Sequence, residues 1–512
     1  MLENEMHNNH LSHNRWFDEW QSSHLSLLDY WKAQSSKAQA EYASNRSLSV
    51  ALEHANHHYT WDDLSQYVAS VQQQFTAASL GCNDVLMLVT AHSSFQSLMV
   101  YLAALEAGVV VAIVPPLPKQ DLTKRQQVLG CSFYYQCPTV NDDLSYLTGG
   151  LVLTLDELKS PQLKFPELQL SSSPTKFDQS NLNQAGLNTS NIASLIFTSG
   201  STGEPKAVAH TVNNHLASAI GLQKSFNFDA HSTWLLSLPL FHVSGLAIVW
   251  RWLVSGCCLR LKQGSGLNLQ GVTHTSMVPT QLFRVLEKNE PITLEKVLLG
   301  GGVIPHQLAQ LAKEQGVDTW AGYGLTEMAS TVTAKAVDHL DSAGKVLLHR
   351  DLKLQGQRIL VGGETLAVGY WREGKLNPLS LIDDHWFDTK DLGRFSDDEL
   401  VILGRADNLF ISGGENIHCE EIERILISHQ EVQQAFIVPI DDPEFGQRPV
   451  ALLALNDVPL SESLQLQLTN LCRSSLQKFK CPIGYYRIPQ SLLNQGIKVS
   501  RLKLKQWLSQ QS

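Results

Sequence analysis

The stretch SLIFTSGSTGEPKAVAHT, residues 194–211, decides how this chain is read. Its lead, Ser194 to Phe197, is a short apolar run with the character of a buried strand. It delivers the chain into a loop of hydroxyls and glycines that closes on one lysine: Thr198, Ser199, Gly200, Ser201, Thr202, Gly203, Glu204, Pro205, Lys206. Glycines let backbone amides approach an anion closely. Successive amides and hydroxyls make an anion-binding concavity, and Lys206 adds a point charge. The pattern GxxxxGK[ST] is not met, because Pro205 precedes the lysine, which disfavours a P-loop kinase or ATPase. A flexible Gly/Ser turn would have the same composition, so the rest of the chain must discriminate.

At 512 residues the chain is too long for one hydrophobic core, and two or more domains are expected. A net charge of −10 argues against a general nucleic-acid binder, which needs a basic face. The eight cysteines are scattered, with one adjacent pair, Cys257 and Cys258, and no CxxC. Reduced thiols in a cytoplasm are the simplest expectation. The N-terminal MLENEMHNNHLSHNRW has no apolar core of a secretory signal. The most apolar segment, Leu98 to Val114, is interrupted by Glu106 and Gly108 and reads as a buried helix running into a strand, not a membrane span.

Helical patterns alternate with short apolar runs such as DVLMLVT (84–90), TWLLSLPL (233–240) and EKVLLGGG (295–302). That alternation favours an α/β fold with largely parallel strands. A polar stretch at 170–190 reads as a surface connection. The clearest boundary is near LGRADNLF (403–410), dividing a domain of residues 1–404 from a small α+β domain of residues 405–512. The small domain reads as strand NLFI, Gly-Gly turn, helix CEEIERILISHQ, then strands QAFIVPI and VALLAL.

Seven further segments follow in order: LPLFHVSG (238–245), LGGGVIP (299–305), YGLTEM (323–328), GGETLAVGYW (362–371), WFDTKDLG (386–393), GRADNLFISGGENIHCEEIE (404–423) and GIKVSR (496–501). Together with the opening loop they resemble the adenylate-forming superfamily of acyl-CoA synthetases, luciferases and peptide-synthetase adenylation domains. The resemblance implies a large N-terminal domain of mixed β-sheets with flanking helices and a small mobile C-terminal α+β domain. It implies ATP, Mg2+ and coenzyme A as cosubstrates. Thr198 to Lys206 would hold the β- and γ-phosphates. Tyr323 would stack on adenine beside the Gly300-Gly301-Gly302 turn, Thr326 would contact the α-phosphate, and Glu327 would ligate Mg2+, as a hard cation wants carboxylate oxygen. Asp391, in preference to Asp388, would accept both ribose hydroxyls, and Arg405 would add a ribose or phosphate contact. Lys390 stands where the family usually has glycine, which leaves the turn before Asp391 open. Asp407 would be the hinge between domains. Lys498 would reach the reaction centre in one domain orientation and neutralise charge as the acyl-adenylate forms.

The acid is addressed by another segment. His242 stands where the family gates the acyl pocket, although a packing histidine fits equally well. LAIVWRWLVSG places Arg251 between two tryptophans in an apolar helix. A buried guanidinium without a partner costs several kcal/mol, so Arg251 needs an anion or a route to solvent. A second carboxylate on the substrate would supply it. Ser244 and Thr275 are weaker pocket candidates by position. The runs STWLLSLPLFHVSGLAIVWRWLVSG and GIKVSRLKLKQWL narrow the resemblance to the menaquinone-pathway branch, whose substrate is an aromatic dicarboxylic acid. Alternatives are another aryl- or fatty-acid ligase of the superfamily, or a non-catalytic nucleotide-binding regulator. A peptide-synthetase module is disfavoured because no carrier domain follows Ser512. A homo-oligomer is compatible with the sequence.

Overall fold

Two strands, Val85–Val89 and Val110–Val114, are buried at every position. Such continuous apolar runs belong to parallel strands covered on both faces. In the computed structural model of the chain they pair in parallel, Val85 beside Val110 through Val89 beside Val114. The structure describes residues 28–33, 50–151, 153, 190–199, 205–262, 264, 266–288, 290–300, 304–340, 342–412, 414–456, 458–493, 499 and 501–511, without the side chains of Ser199, His306, Asn416 and Leu502.

The chain divides into two compact units. Unit 1 comprises residues 1–275, 325–330 and 364–379; unit 2 comprises 276–324, 331–363 and 380–512. In unit 1 an eight-stranded sheet runs in the order Lys375–Pro378, Gly369–Arg372, Pro205–Thr211, Ile192–Ser199, Val110–Val114, Val85–Val89, Phe133–Gln136, Gly150–Leu151. Its parallel half is the buried core just described. The half that carries the opening loop is antiparallel, with Ile192–Ser199 hairpinned to Pro205–Thr211 and that strand paired to Gly369–Arg372. A second sheet in this unit joins Thr233–Leu236 in parallel to Cys258–Leu261 and to His274 and Thr275.

In unit 2 the strands Lys296–Leu299 and Asp318–Leu325 pair in parallel. From residue 351 onward the pairing is mostly antiparallel, which departs from the largely parallel expectation. Asp351–Gln355, Arg358–Gly362, Phe387–Ser396 and Glu399–Arg405 form an antiparallel sheet in that order, and the tight turns that join the first pair and the last pair permit only antiparallel neighbours. Beyond it Leu409–Ser412, Val432–Asp442 and Gly446–Leu455 appear as expected, with two strands the sequence reading lacked, Glu415–His418 and Tyr485–Arg487. The long strands sort their side chains by the two-residue period. Ile437, Ala451 and Leu453 face a core with Ile422, Leu426 and Leu468, whereas Val438, Val450 and Leu452 face Leu504 and Leu508 of the helix Arg501–Ser509. All eight cysteines are free. Among the described residues no helix is long and apolar enough to cross a membrane.

Candidate functional site

In unit 1 the opening loop is held by its hairpin, in which Thr198 pairs with Lys206 and Ser199 with Pro205. Gly200, Ser201, Thr202 and Gly203 lie outside the described residues, as do Gly301, Gly302 and Lys498. The Lys206 ammonium sits 5.4 Å from the ring centroid of Tyr370, within cation–π range. Tyr370 is placed there by its strand, where it pairs with Val208. Its hydroxyl donates to Glu327 Oε1 at 3.0 Å. Burial and, secondarily, the Glu327 carboxylate push the Tyr370 phenol above its ordinary range, so it remains a donor. The lysine of the loop and the glutamate of YGLTEM are therefore joined through one aromatic ring, a residue to which the sequence assigned no role.

Thr326 and Glu327 form the 3-10 turn Thr326–Met328. The turn closes through Ala329 N–H to Thr326 O at 3.1 Å. Ala329 and Ser330 follow with φ of +50° and +109°, unusual for residues with a Cβ. Neighbouring elements hold this backbone from outside. His210 Nε2 lies 2.7 Å from Thr326 O, Ala367 N–H donates to Glu327 O at 2.7 Å, and Ser218 Oγ donates to Ala329 O at 2.7 Å. Because a carbonyl only accepts, Nε2 of His210 carries the proton. Burial lowers the His210 pKa to about 4 and drives that of His215 well below its usual value, so both imidazoles are neutral near pH 7. Among the described residues no three His, Cys, Asp or Glu gather into an all-protein metal site. A divalent ion taking one carboxylate and completing its shell with phosphate oxygens and water fits Glu327.

The helix Val243–Ser255 carries the acid candidates. It is buried from Gly245 to Ser255 and starts at His242, whose half-buried ring lies 5.0 Å from that of Phe241. Gly245 is required where it stands, because a Cβ there would come within 2.1 Å of Pro239 O. Arg251 is 2% exposed, and its guanidinium lies 5.3 Å from the ring centroid of Trp234. Burial pushes its pKa down to about 9, because desolvation disfavours the charged form. Ser244 lies seven positions before Arg251 and so shares its helix face. Thr275 is placed differently. It pairs in register with Leu235 and donates to Ser237 Oγ at 3.0 Å. Successive strand residues face opposite sides, so Thr275 and Arg251 approach the strand Thr233–Leu236 from opposite faces.

In unit 2 the ribose candidates form one cluster. Tyr323 OH donates to Asp391 Oδ2 at 2.7 Å, and Arg405 Nη1 donates to Oδ1 at 3.1 Å. Asp391 and Arg405 are cross-strand partners. Two carboxylate oxygens offer about four acceptor directions, which leaves capacity for ligand hydroxyls. Burial and the Asp391 charge push the Tyr323 phenol well up. Asp388 is occupied differently, by Arg358 at 3.0 Å and Lys390 at 2.7 Å. Lys390 adopts φ +64°, the left-handed conformation for which glycine is the easy residue. Gly300 lies beside the backbone of Gly322, next to Tyr323. Asp407 sits in the 3-10 turn Ala406–Asn408 and accepts from Arg405 Nη2 at 3.3 Å.

Residues 37–371 match the family model of AMP-binding enzymes, and residues 421–494 match that of the AMP-binding enzyme C-terminal domain. The 2-succinylbenzoate–CoA ligase of Escherichia coli strain K12 is 38% identical over 471 residues, 91% of this chain and 97% of that protein. The ligase of the same name from Salmonella typhimurium is 46% identical over 319 residues, 62% of this chain and 69% of its own. A solved structure of an arginine-to-lysine variant of E. coli MenE with bound OSB-AMS has a TM-score of 0.78 at 34% identity, covering 94% of this chain and 98% of that one. The chain belongs to the AMP-binding enzyme family and, within it, to the 2-succinylbenzoate–CoA ligases.

Proposed function

We propose that the chain is an ATP-dependent acid–CoA ligase that converts 2-succinylbenzoate to its CoA thioester through an acyl-adenylate, in menaquinone biosynthesis. ATP with Mg2+ and coenzyme A are its cosubstrates. The succinyl carboxylate attacks the α-phosphorus of ATP and pyrophosphate leaves. The thiol of coenzyme A then attacks the acyl carbon, and AMP departs with the electron pair of the broken C–O bond.

The roles are those the family resemblance implies, and the chemistry of each group suits them. Thr198 and Lys206, with the loop between them, take the terminal phosphates. Thr326 would meet the α-phosphate, and Glu327 would hold a Mg2+ ion, which supplies balance for the phosphate charge when bound. Tyr323 flanks the adenine while Asp391 and Arg405 take the ribose. Lys498 stabilises the charge that builds at the α-phosphate. Rotation about Asp407 would withdraw it before the thiol step, since charge neutralisation and thiol access make incompatible demands on one small domain. His242 gates the acyl pocket. A cytoplasmic location and an absence of nucleic-acid partners fit the acidic chain.

The observation that carries the substrate class is Arg251, a buried guanidinium against the Trp234 ring on a helix face shared with Ser244. A fatty-acid pocket has no use for such a charge, whereas the ring carboxylate of 2-succinylbenzoate meets it. The test is AMP release with 2-succinylbenzoate, benzoate and a medium-chain fatty acid, each with and without coenzyme A. Release confined to the dicarboxylate is expected. Equal rates with the fatty acid would refute the assignment of Arg251.

A further inference from the structure

We infer that His210 is a positioning residue, holding the Thr326–Glu327 turn in the geometry that presents both side chains to the nucleotide and its cation. The inference rests on the ligase reading above for the roles of Thr326 and Glu327. The geometry starts at the strand Pro205–Thr211, which begins beside the phosphate loop and carries Lys206 near its start and His210 near its end. His210 is wholly buried, and its Nε2–H is given to Thr326 O at 2.7 Å. Its other nitrogen, Nδ1, is buried without a hydrogen-bond partner, so its polar interaction in this packing is the one with the turn.

The ring is fixed from behind. His210 packs against His215 at 5.0 Å between centroids, and His215 Nε2 is 2.8 Å from Ser194 Oγ. His215 also stacks on Trp250 at 5.1 Å with 8° between the planes. The indole N–H of Trp250 donates to the Tyr101 hydroxyl at 3.0 Å. Side chains of three helices, Phe95–Ala107, Val243–Ser255 and Val212–Phe226, thus prevent the imidazole from turning away. A wedge so constrained places one carbonyl, and with it a turn whose next two residues hold φ of +50° and +109°. Backbone in that region relaxes when its supports are removed. Outer partners that orient ligating groups change metal affinity or activity about 10–100-fold on substitution.

The test compares His210→Phe, which keeps the ring volume and loses the donor, with His210→Gln, which keeps an N–H donor. Mg2+-dependent binding of ATP is measured by calorimetry, the adenylation rate by acid-dependent ATP–pyrophosphate exchange, and folding by thermal unfolding. For the phenylalanine variant we expect a Mg2+ requirement and an adenylation kcat both worse by about 10–100-fold. The KM for 2-succinylbenzoate should stay within about threefold, because Arg251 is undisturbed. The glutamine variant should recover most of the loss. A phenylalanine variant with wild-type Mg2+ dependence would overturn the inference, and so would two variants equally impaired in proportion to their lost thermal stability. Should the phenylalanine variant not fold, Ser218→Ala, which frees Ala329 O of the same turn, must raise the Mg2+ requirement; an unchanged requirement would overturn the inference. If the wild type binds Mg2+ and ATP but releases AMP with no acid, the ligase reading fails while the binding comparison still decides the role of His210.

Discussion

At the scale of single residues, Arg251 carries the sharpest consequence. Leucine in its place should cut kcat/KM for 2-succinylbenzoate by about 10²-fold, in line with the loss of one partner of a buried charge pair, and leave the KM for ATP alone. Steady-state kinetics with 2-succinylbenzoate and with ATP checks both halves of the claim. Lys390 illustrates a different lesson. Its identity in place of glycine left the turn before Asp391 open on the sequence, yet the backbone adopts φ +64° all the same. The strain of about 1 kcal/mol is offset in part by the amide and ammonium of Lys390 donating to Asp388. Those contacts also occupy Asp388 and leave Asp391 to Tyr323 and Arg405.

Elements owe their placement to polar groups that periodicity does not announce. The helix Cys419–Ile427 buries Cys419, Ile422, Glu423 and Leu426, the spacing of an apolar stripe with a carboxylate inside it. Glu423 is matched by Arg501, whose Nη2 donates to Oε2 at 2.7 Å and whose Nη1 donates to Ile437 O at 3.0 Å. The paired carboxylates hold the Arg501 guanidinium charged against the opposing effect of burial. Arg501→Ala should therefore cost about 3 kcal/mol in denaturant unfolding by leaving Glu423 unpaired, and Arg501→Met with Glu423→Leu should restore most of it. The strand Pro205–Thr211 and helix Val212–Phe226 make a second prediction. His210 and His215 have folded pKa values below the unfolded value of 6.5, so the unfolded chain binds more protons under mild acid. The stability they contribute is present above about pH 6.5 and is lost as pH falls toward 4, by about 3 kcal/mol for His210 alone. Chemical denaturation at pH 7.5, 6 and 5 should show a fall that His210→Gln makes shallower.

For the whole molecule the test is the separation of the half-reactions. Lys498→Ala should abolish acid-dependent AMP formation while sparing thioester formation from supplied acyl-adenylate; loss of both in equal measure would remove Lys498 from its role. Motif order along the chain made the family and the cosubstrates legible, and it nominated candidate nucleotide residues through the resemblance those motifs carry. The reach of that reading stopped where partners lie far apart in sequence. Tyr370 joins Lys206 to Glu327 from more than forty positions away from either, and His210 meets Thr326 across 116. Thr275 was a pocket candidate by position alone, and only the register of its strand shows that it and Arg251 approach Thr233–Leu236 from opposite faces.

The sequence by itself determined the family and the set of donors, acceptors and charges offered as site candidates, since residue type and local spacing are sufficient to specify such groups. Only the tertiary structure decided which of those groups face one another and which buried histidine, tyrosine or arginine supports them. Contacts of that kind depend on sheet register and helix packing, and these are settled when distant segments bury their apolar faces together.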